Sequence, residues 1–118
     1  MQKNVSTTIG FIGTGNMGAA ILSKLVETAD SKTISIFDID TVKAKALSTR
    51  CSVKLSPTIE DCIKNSEYII LAVKPQVLPD VLKQIKDIIK DKILISIAAG
   101  VSIGQITSMV EKNVKIVR

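Results

Sequence analysis

The residues best suited to chemistry are glycines. Residues 9–18 read IGFIGTGNMG, with Gly13, Gly15 and Gly18 closing an apolar run in a G-x-G-x-x-G spacing. Set between a strand and a helix, such a turn holds a pyrophosphate. Each glycine then has its own role. Gly13 permits the tight turn out of the strand. Gly15 leaves the backbone bare where the phosphates approach. Gly18 lets the helix pack closely on the sheet. The free N–H groups of the helix start, together with the helix dipole, favour the anion. Asp38 follows Gly18 by 20 residues, at the end of a second apolar stretch. A carboxylate there accepts hydrogen bonds from both hydroxyls of an adenosine ribose and repels a 2′-phosphate. Asp38 therefore points to NADH over NADPH, while Lys43 and Lys45 are cations able to attract a 2′-phosphate.

Two further groups follow apolar stretches. Ala72-Val73-Lys74-Pro75 can run beside the nicotinamide half of a dinucleotide, on the far side of a topological switch point. Lys74 suits a phosphate, a ribose or a substrate carboxylate, and equally suits plain solvent exposure. Pro75 ends the strand before it. Ala98-Ala99-Gly100 is a small-residue stretch that leaves room for a flat ring, or simply packs. Other chemistries lack their residues. The chain has no histidine, which removes the commonest general base and the commonest metal ligand. Cys51 and Cys62 match no metal spacing and read as reduced, half-buried thiols. Ser96 and Ser102 have no neighbouring base. No catalytic side chain and no metal ligand is expected.

These groups need elements to hold them. Short apolar runs at Thr8–Ile12, Thr33–Phe37, Val53–Leu55, Tyr68–Val73, Ile93–Ile97 and Val114–Val117 read as strands. Between them lie helical patterns. Residues 16–29 place Ile21, Leu22, Leu25 and Val26 on one face. Asp40 caps a helix through Lys43, Ala46 and Leu47. Ser56 caps the next, with Pro57 in its first turn. Leu78, Val81, Leu82, Ile85, Ile88 and Ile89 form a third apolar face. Ser102 and Gln105 have capping-box spacing and start a helix toward Val110. Unalternating apolar strands joined by helices mean a parallel sheet covered on both faces. The expected fold is α/β, a Rossmann-type doubly wound parallel sheet of six strands in the order 3-2-1-4-5-6.

Size and composition set the bounds. At 118 residues, 46 % apolar and 23 % charged, the chain makes one domain with a sizeable core. No apolar run approaches the ~18 residues of a membrane span, and the apolar segment after MQKNVSTT is too short for a secretory signal to be expected. A cytoplasmic protein is expected. The net charge of +5 comes from lysines spread along the chain, with only Phe11, Phe37 and Tyr68 as aromatics. Nucleic-acid binding, which favours clustered cations and stacking rings, is not expected.

The combined motifs resemble a known family. IGFIGTGNMG, LAVKPQVLPDVL, ISIAAGVSI and the final KIVR are similar, in order, to the N-terminal half of pyrroline-5-carboxylate reductase. LAVKPQ and SIAAGVS are the discriminating parts, because related beta-hydroxyacid dehydrogenases share the glycine motif. The resemblance implies hydride transfer from NAD(P)H to the cyclic imine pyrroline-5-carboxylate, giving L-proline in proline biosynthesis. It implies cofactor contacts at Ile12, Gly13, Thr14, Gly15, Asn16, Met17 and Gly18. It places Asp38 at the adenosine ribose, Ala72, Val73 and Lys74 at the nicotinamide ribose, and Ile97 and Ala99 near the nicotinamide. Many relatives carry Ser, Thr, Asn or Arg near position 38, so Asp38 departs from the NADPH pattern. In the family a helical C-terminal domain supplies the dimer interface and much of the substrate pocket. It is expected to be absent here, so the chain binds cofactor but is poorly active or inactive alone, and homo-oligomers need the missing part. The alternatives are a stand-alone, non-catalytic nucleotide-binding module and a related imine or beta-hydroxyacid oxidoreductase.

Overall fold

Four short isoleucine-rich runs build the centre of the molecule. The computed structural model describes residues 8–97 and 115–117. Its strands are β1 (Ile9–Ile12), β2 (Ile34–Phe37), β3 (Lys54–Leu55), β4 (Tyr68–Leu71) and β5 (Ile93–Ser96), all paired in parallel in the order β3-β2-β1-β4-β5. A three-residue β6, Lys115–Val117, pairs in parallel with β5. The helices are α1 (Asn16–Leu25), α2 (Thr41–Cys51), α3 (Ile59–Lys64) and α4 (Leu78–Ile85). The helix expected after Ser102 lies outside the described residues. Among the described residues, no helix is long and apolar enough to cross a membrane.

Side-chain alternation along the strands builds two cores. Phe11, Ile34, Ile36 and Ile70 point to one face and meet Leu22 of α1 and Ala44 and Leu47 of α2. Ile12, Ile69, Leu71 and Leu94 point to the other and meet Ile63 of α3 and Leu78, Leu82 and Ile85 of α4. The chain changes faces where it crosses from β3 to β4, leaving the switch point between β1 and β4. Gly10, central in β1, is where α3 comes nearest. A Cβ there would lie 2.5 Å from Ser66 Oγ and 3.1 Å from the Cys62 carbonyl oxygen.

The helix ends correct several expectations. Asp40 does cap α2, its Oδ1 accepting from Lys43 N at 3.1 Å. The cap of α3 is Thr58, not Ser56, with Thr58 Oγ1 accepting from Asp61 N at 3.1 Å. Ser56 is committed to the sheet instead, its N–H donating to the Ile36 carbonyl at 2.9 Å, and Pro57 precedes the cap. Helix α1 stops at Leu25 rather than continuing to Ala29, and turns lead on to a 3-10 segment at Ser31–Thr33. Helix α4 stops at Ile85, although Ile89 remains fully buried on the same face.

Both thiols are free, and they are buried rather than half-buried. Burial pushes the Cys62 thiol up from 9.0 to about 11. The fold thus favours the neutral thiol. In the unfolded chain the group ionises from about pH 9, and in the folded chain only near pH 11. Its stabilising effect is complete below pH 9 and is lost as pH rises through that window. Chemical denaturation from pH 8.5 to 11 should therefore show a steeper loss of stability in the wild type than in Cys62→Ala. The difference should approach about 2 kcal/mol at the top of the range. Equal slopes would refute the assignment.

Candidate functional site: a cavity at the switch point

The three glycines of the β1–α1 loop are there for different physical reasons. Gly13 has φ +101°, in a region that L side chains rarely adopt, and a Cβ would sit 2.8 Å from the carbonyl carbon and oxygen of Ala72. Gly18 is in helical conformation, but a Cβ would sit 2.8 Å from Ala72 Cβ and 3.3 Å from the Gly13 oxygen. The α1 N-terminus is therefore pressed against the end of β4 as well as its own loop. Gly15 is different. It caps α1 with φ −66° and ψ 179°, an ordinary extended conformation, and a Cβ would meet nothing within 4 Å. Neither strain nor packing requires glycine there.

The loop opens onto a cavity of about 720 Å³ at the C-terminal ends of β1, β2 and β4. Of the residues expected at a cofactor, Ile12, Gly13, Thr14, Gly15, Asp38, Ala72, Val73 and Lys74 line it. Gly18 is buried behind the loop, and Met17 is 60 % exposed away from the lining. Asn16 opens α1. Ile97 is not brought to the cavity. Its amide extends the β4 pairing through Leu71 O, at 3.1 Å, and its side chain packs on the α1–α2 face. Ala99 lies outside the described residues.

Asp38 is tightly engaged. Its Oδ2 accepts from Thr14 N at 2.7 Å and from Thr14 Oγ1 at 2.6 Å, and its Oδ1 accepts from Asp40 N at 2.9 Å. The carboxylate therefore joins the β2–α2 turn to the glycine loop. A carboxylate offers about four acceptor positions, so one on Oδ1 remains for an incoming hydroxyl, fewer than the two expected from the sequence. Lys43 lines this cavity and also a smaller one of about 260 Å³, which Thr14 and Arg50 share. Lys45, the other cation expected to attract a 2′-phosphate, lines neither.

The opposite wall has little signature in the sequence. Ile59 of α3, Val77 at the N-cap of α4, and Asp80, Val81 and Gln84 along α4 complete it. Val77, Val81 and Gln84 stand at i, i+4 and i+7, one helical face. That face adjoins the stripe of core residues, which masks it in the sequence. The available clue was Val77, an apolar residue just off the stripe and directly after Ala72-Val73-Lys74-Pro75.

A cavity at a parallel-sheet switch point, a glycine loop at a helix start and an acid at the end of β2 form a dinucleotide-binding arrangement. A family model described as NADP oxidoreductase, coenzyme F420-dependent, matches residues 8–100. The chain belongs to this family. Within it, the similarity to pyrroline-5-carboxylate reductases expected from the motifs holds across the chain. The enzyme of that name from Methanosarcina acetivorans is 33 % identical over 113 residues, covering 93 % of this chain and 42 % of that protein. The solved structure of a pyrroline-5-carboxylate reductase from Coxiella burnetii matches with a TM-score of 0.88 at 28 % identity, over 95 % of this chain and 43 % of that one. The Plasmodium falciparum pyrroline carboxylate reductase, solved with NADP bound, matches with a TM-score of 0.78 at 26 % identity, over 93 % of this chain and 40 % of that one. The chain thus spans about two fifths of the length of these relatives.

Proposed function

We propose that residues 1–118 form the dinucleotide-binding domain of a reductase that converts pyrroline-5-carboxylate to L-proline. Gly15 carries the cofactor part of this reading. Its glycine is required neither by φ nor by any neighbouring atom, and an N-cap accepts glycine without demanding it, whereas a group approaching from the cavity would demand it. A pyrophosphate at the α1 N-terminus supplies that reason. The loop from Ile12 to Gly18 then holds the phosphates. Asp38 meets the adenosine ribose and favours NADH. Ala72, Val73 and Lys74 border the nicotinamide ribose, with Ala99 assigned to the nicotinamide end.

A nicotinamide held here would supply a hydride to the imine carbon. A protonated imine is already an electrophile, so the chain's task is to hold the donor ring and no nucleophile is needed. The chain makes up about two fifths of its relatives. Turnover, the imine site and homo-oligomer formation are therefore assigned to the whole protein, acting in the cytoplasm, and cofactor binding to this chain.

Gly15→Ala separates this reading from a merely structural glycine loop. The substitution should lower the melting temperature by only a few degrees, because open space receives the methyl and only the N-cap preference for glycine over alanine is lost. Calorimetric titration should show at least about tenfold weaker binding of NADH. Unchanged NADH affinity would remove the pyrophosphate assignment.

A further inference from the structure

Thr14 is more than a spacer between two glycines. It is only 6 % exposed, and both its polar donors go to one oxygen of Asp38. The partner oxygen is held by Asp40 N. Three donors from two separate turns therefore fix the carboxylate. Of these, only the Thr14 hydroxyl comes from a side chain, so only it can be altered without moving the backbone. We propose that Thr14 is a positioning residue that sets the cofactor preference, by holding the Asp38 carboxylate toward the ribose position. This rests on the dinucleotide reading of the cavity.

The physical sense is electrostatic. A held carboxylate presents one acceptor position on Oδ1 to a ribose hydroxyl. It also keeps a full negative charge where a 2′-phosphate would have to sit. Lys43, shared between the two cavities, pulls in the opposite direction by attracting that phosphate. With the carboxylate fixed, repulsion dominates. Without the hydroxyl, only the Thr14 and Asp40 amides hold the carboxylate; it is less tightly aimed at the ribose, and the attraction of Lys43 gains weight.

Two substitutions divide this from a packing role. Thr14→Val keeps the branched shape and removes the hydroxyl. Thr14→Ser keeps the hydroxyl and removes the methyl. Calorimetric Kd values for NADH and NADPH would be measured on the chain and both variants, with melting temperatures alongside. The expected result is a wild-type preference for NADH, a roughly tenfold fall in that preference for Thr14→Val, and its retention in Thr14→Ser. If Thr14→Val keeps the wild-type ratio within twofold while NADH still binds, the positioning role is overturned and the cavity assignment stands. A shift in Thr14→Ser as large as that in Thr14→Val also overturns it, as does a wild-type preference for NADPH. If the wild type binds neither dinucleotide, the cavity assignment and this inference fall together.

Discussion

Gly13→Ala should destabilise the chain by at least about 3 kcal/mol and abolish measurable dinucleotide binding. Two costs add. A non-glycine residue at positive φ costs about 1–2 kcal/mol, and the φ of +101° at Gly13 lies beyond the usual left-handed well. The new methyl would also press on Ala72 C and O at 2.8 Å and on Val73 Cγ1 at 2.9 Å. A side chain can rotate away, but the Ala72 carbonyl belongs to backbone. Its residue also donates to Ile12 O at 2.8 Å, while Gly13 N donates to Phe37 O at 2.8 Å. Relief of the clash therefore pulls apart the ends of β1, β2 and β4, which carry the cavity. Denaturant titration checks the first effect, and NADH titration under folding conditions the second. A variant that melts like wild type would mean that the turn adopts another conformation without loss. Gly15→Ala is the natural comparison, since its methyl enters open space.

The contrast shows which parts of this molecule can be read from its sequence. The glycine spacing and the alternation of apolar runs are local patterns with local causes. They located the β1–α1 turn, Asp38, the Asp40 cap and the strand order through β5. Ser56 and Thr58 show where local pattern fails. Both are good caps two residues apart, and the choice falls to Thr58 because the Ser56 amide is claimed by Ile36 O on β2. That claim depends on register, a long-range property. Ile97 fails for a related reason. Strand β5 alternates, so Leu94 and Ser96 are buried while Ile93 and Ile95 are half-buried. Ile97 shares the parity of Ile95 and faces α1 and α2, away from the cavity wall made by Ile59 and α4. The Thr14–Asp38 contact spans 24 residues and has no sequence signature beyond a residue able to donate. The cavity face of α4 is hidden for the opposite reason: Val81 belongs to the core stripe itself, and Asp80 and Gln84 beside it carry no apolar signal.

Asp38→Ser should give the largest change in cofactor choice. The NADH preference should collapse or invert, with NADH binding weakened by about 1–3 kcal/mol through loss of a charge-assisted hydrogen bond. NADPH binding should improve, because a negative charge is removed next to Lys43, which lines the same cavity. The substitution acts on the fold as well. The Thr14 amide and hydroxyl and the Asp40 amide lose their acceptor, and the shorter serine cannot meet both turns. Hydrogen bonds to a charged group contribute roughly 1.5–3 kcal/mol each, and water replaces part of this at the half-exposed turn. A stability loss of about 3 kcal/mol is therefore expected. The two effects separate by measurement. A purely structural Asp38 would lower the affinity for both dinucleotides in proportion and leave their ratio intact. A ribose-facing Asp38 moves the two affinities in opposite directions. Parallel NADH and NADPH titrations at a temperature well below the variant's melting point decide between them. A preserved ratio would confine Asp38 to joining the β2–α2 turn to the glycine loop.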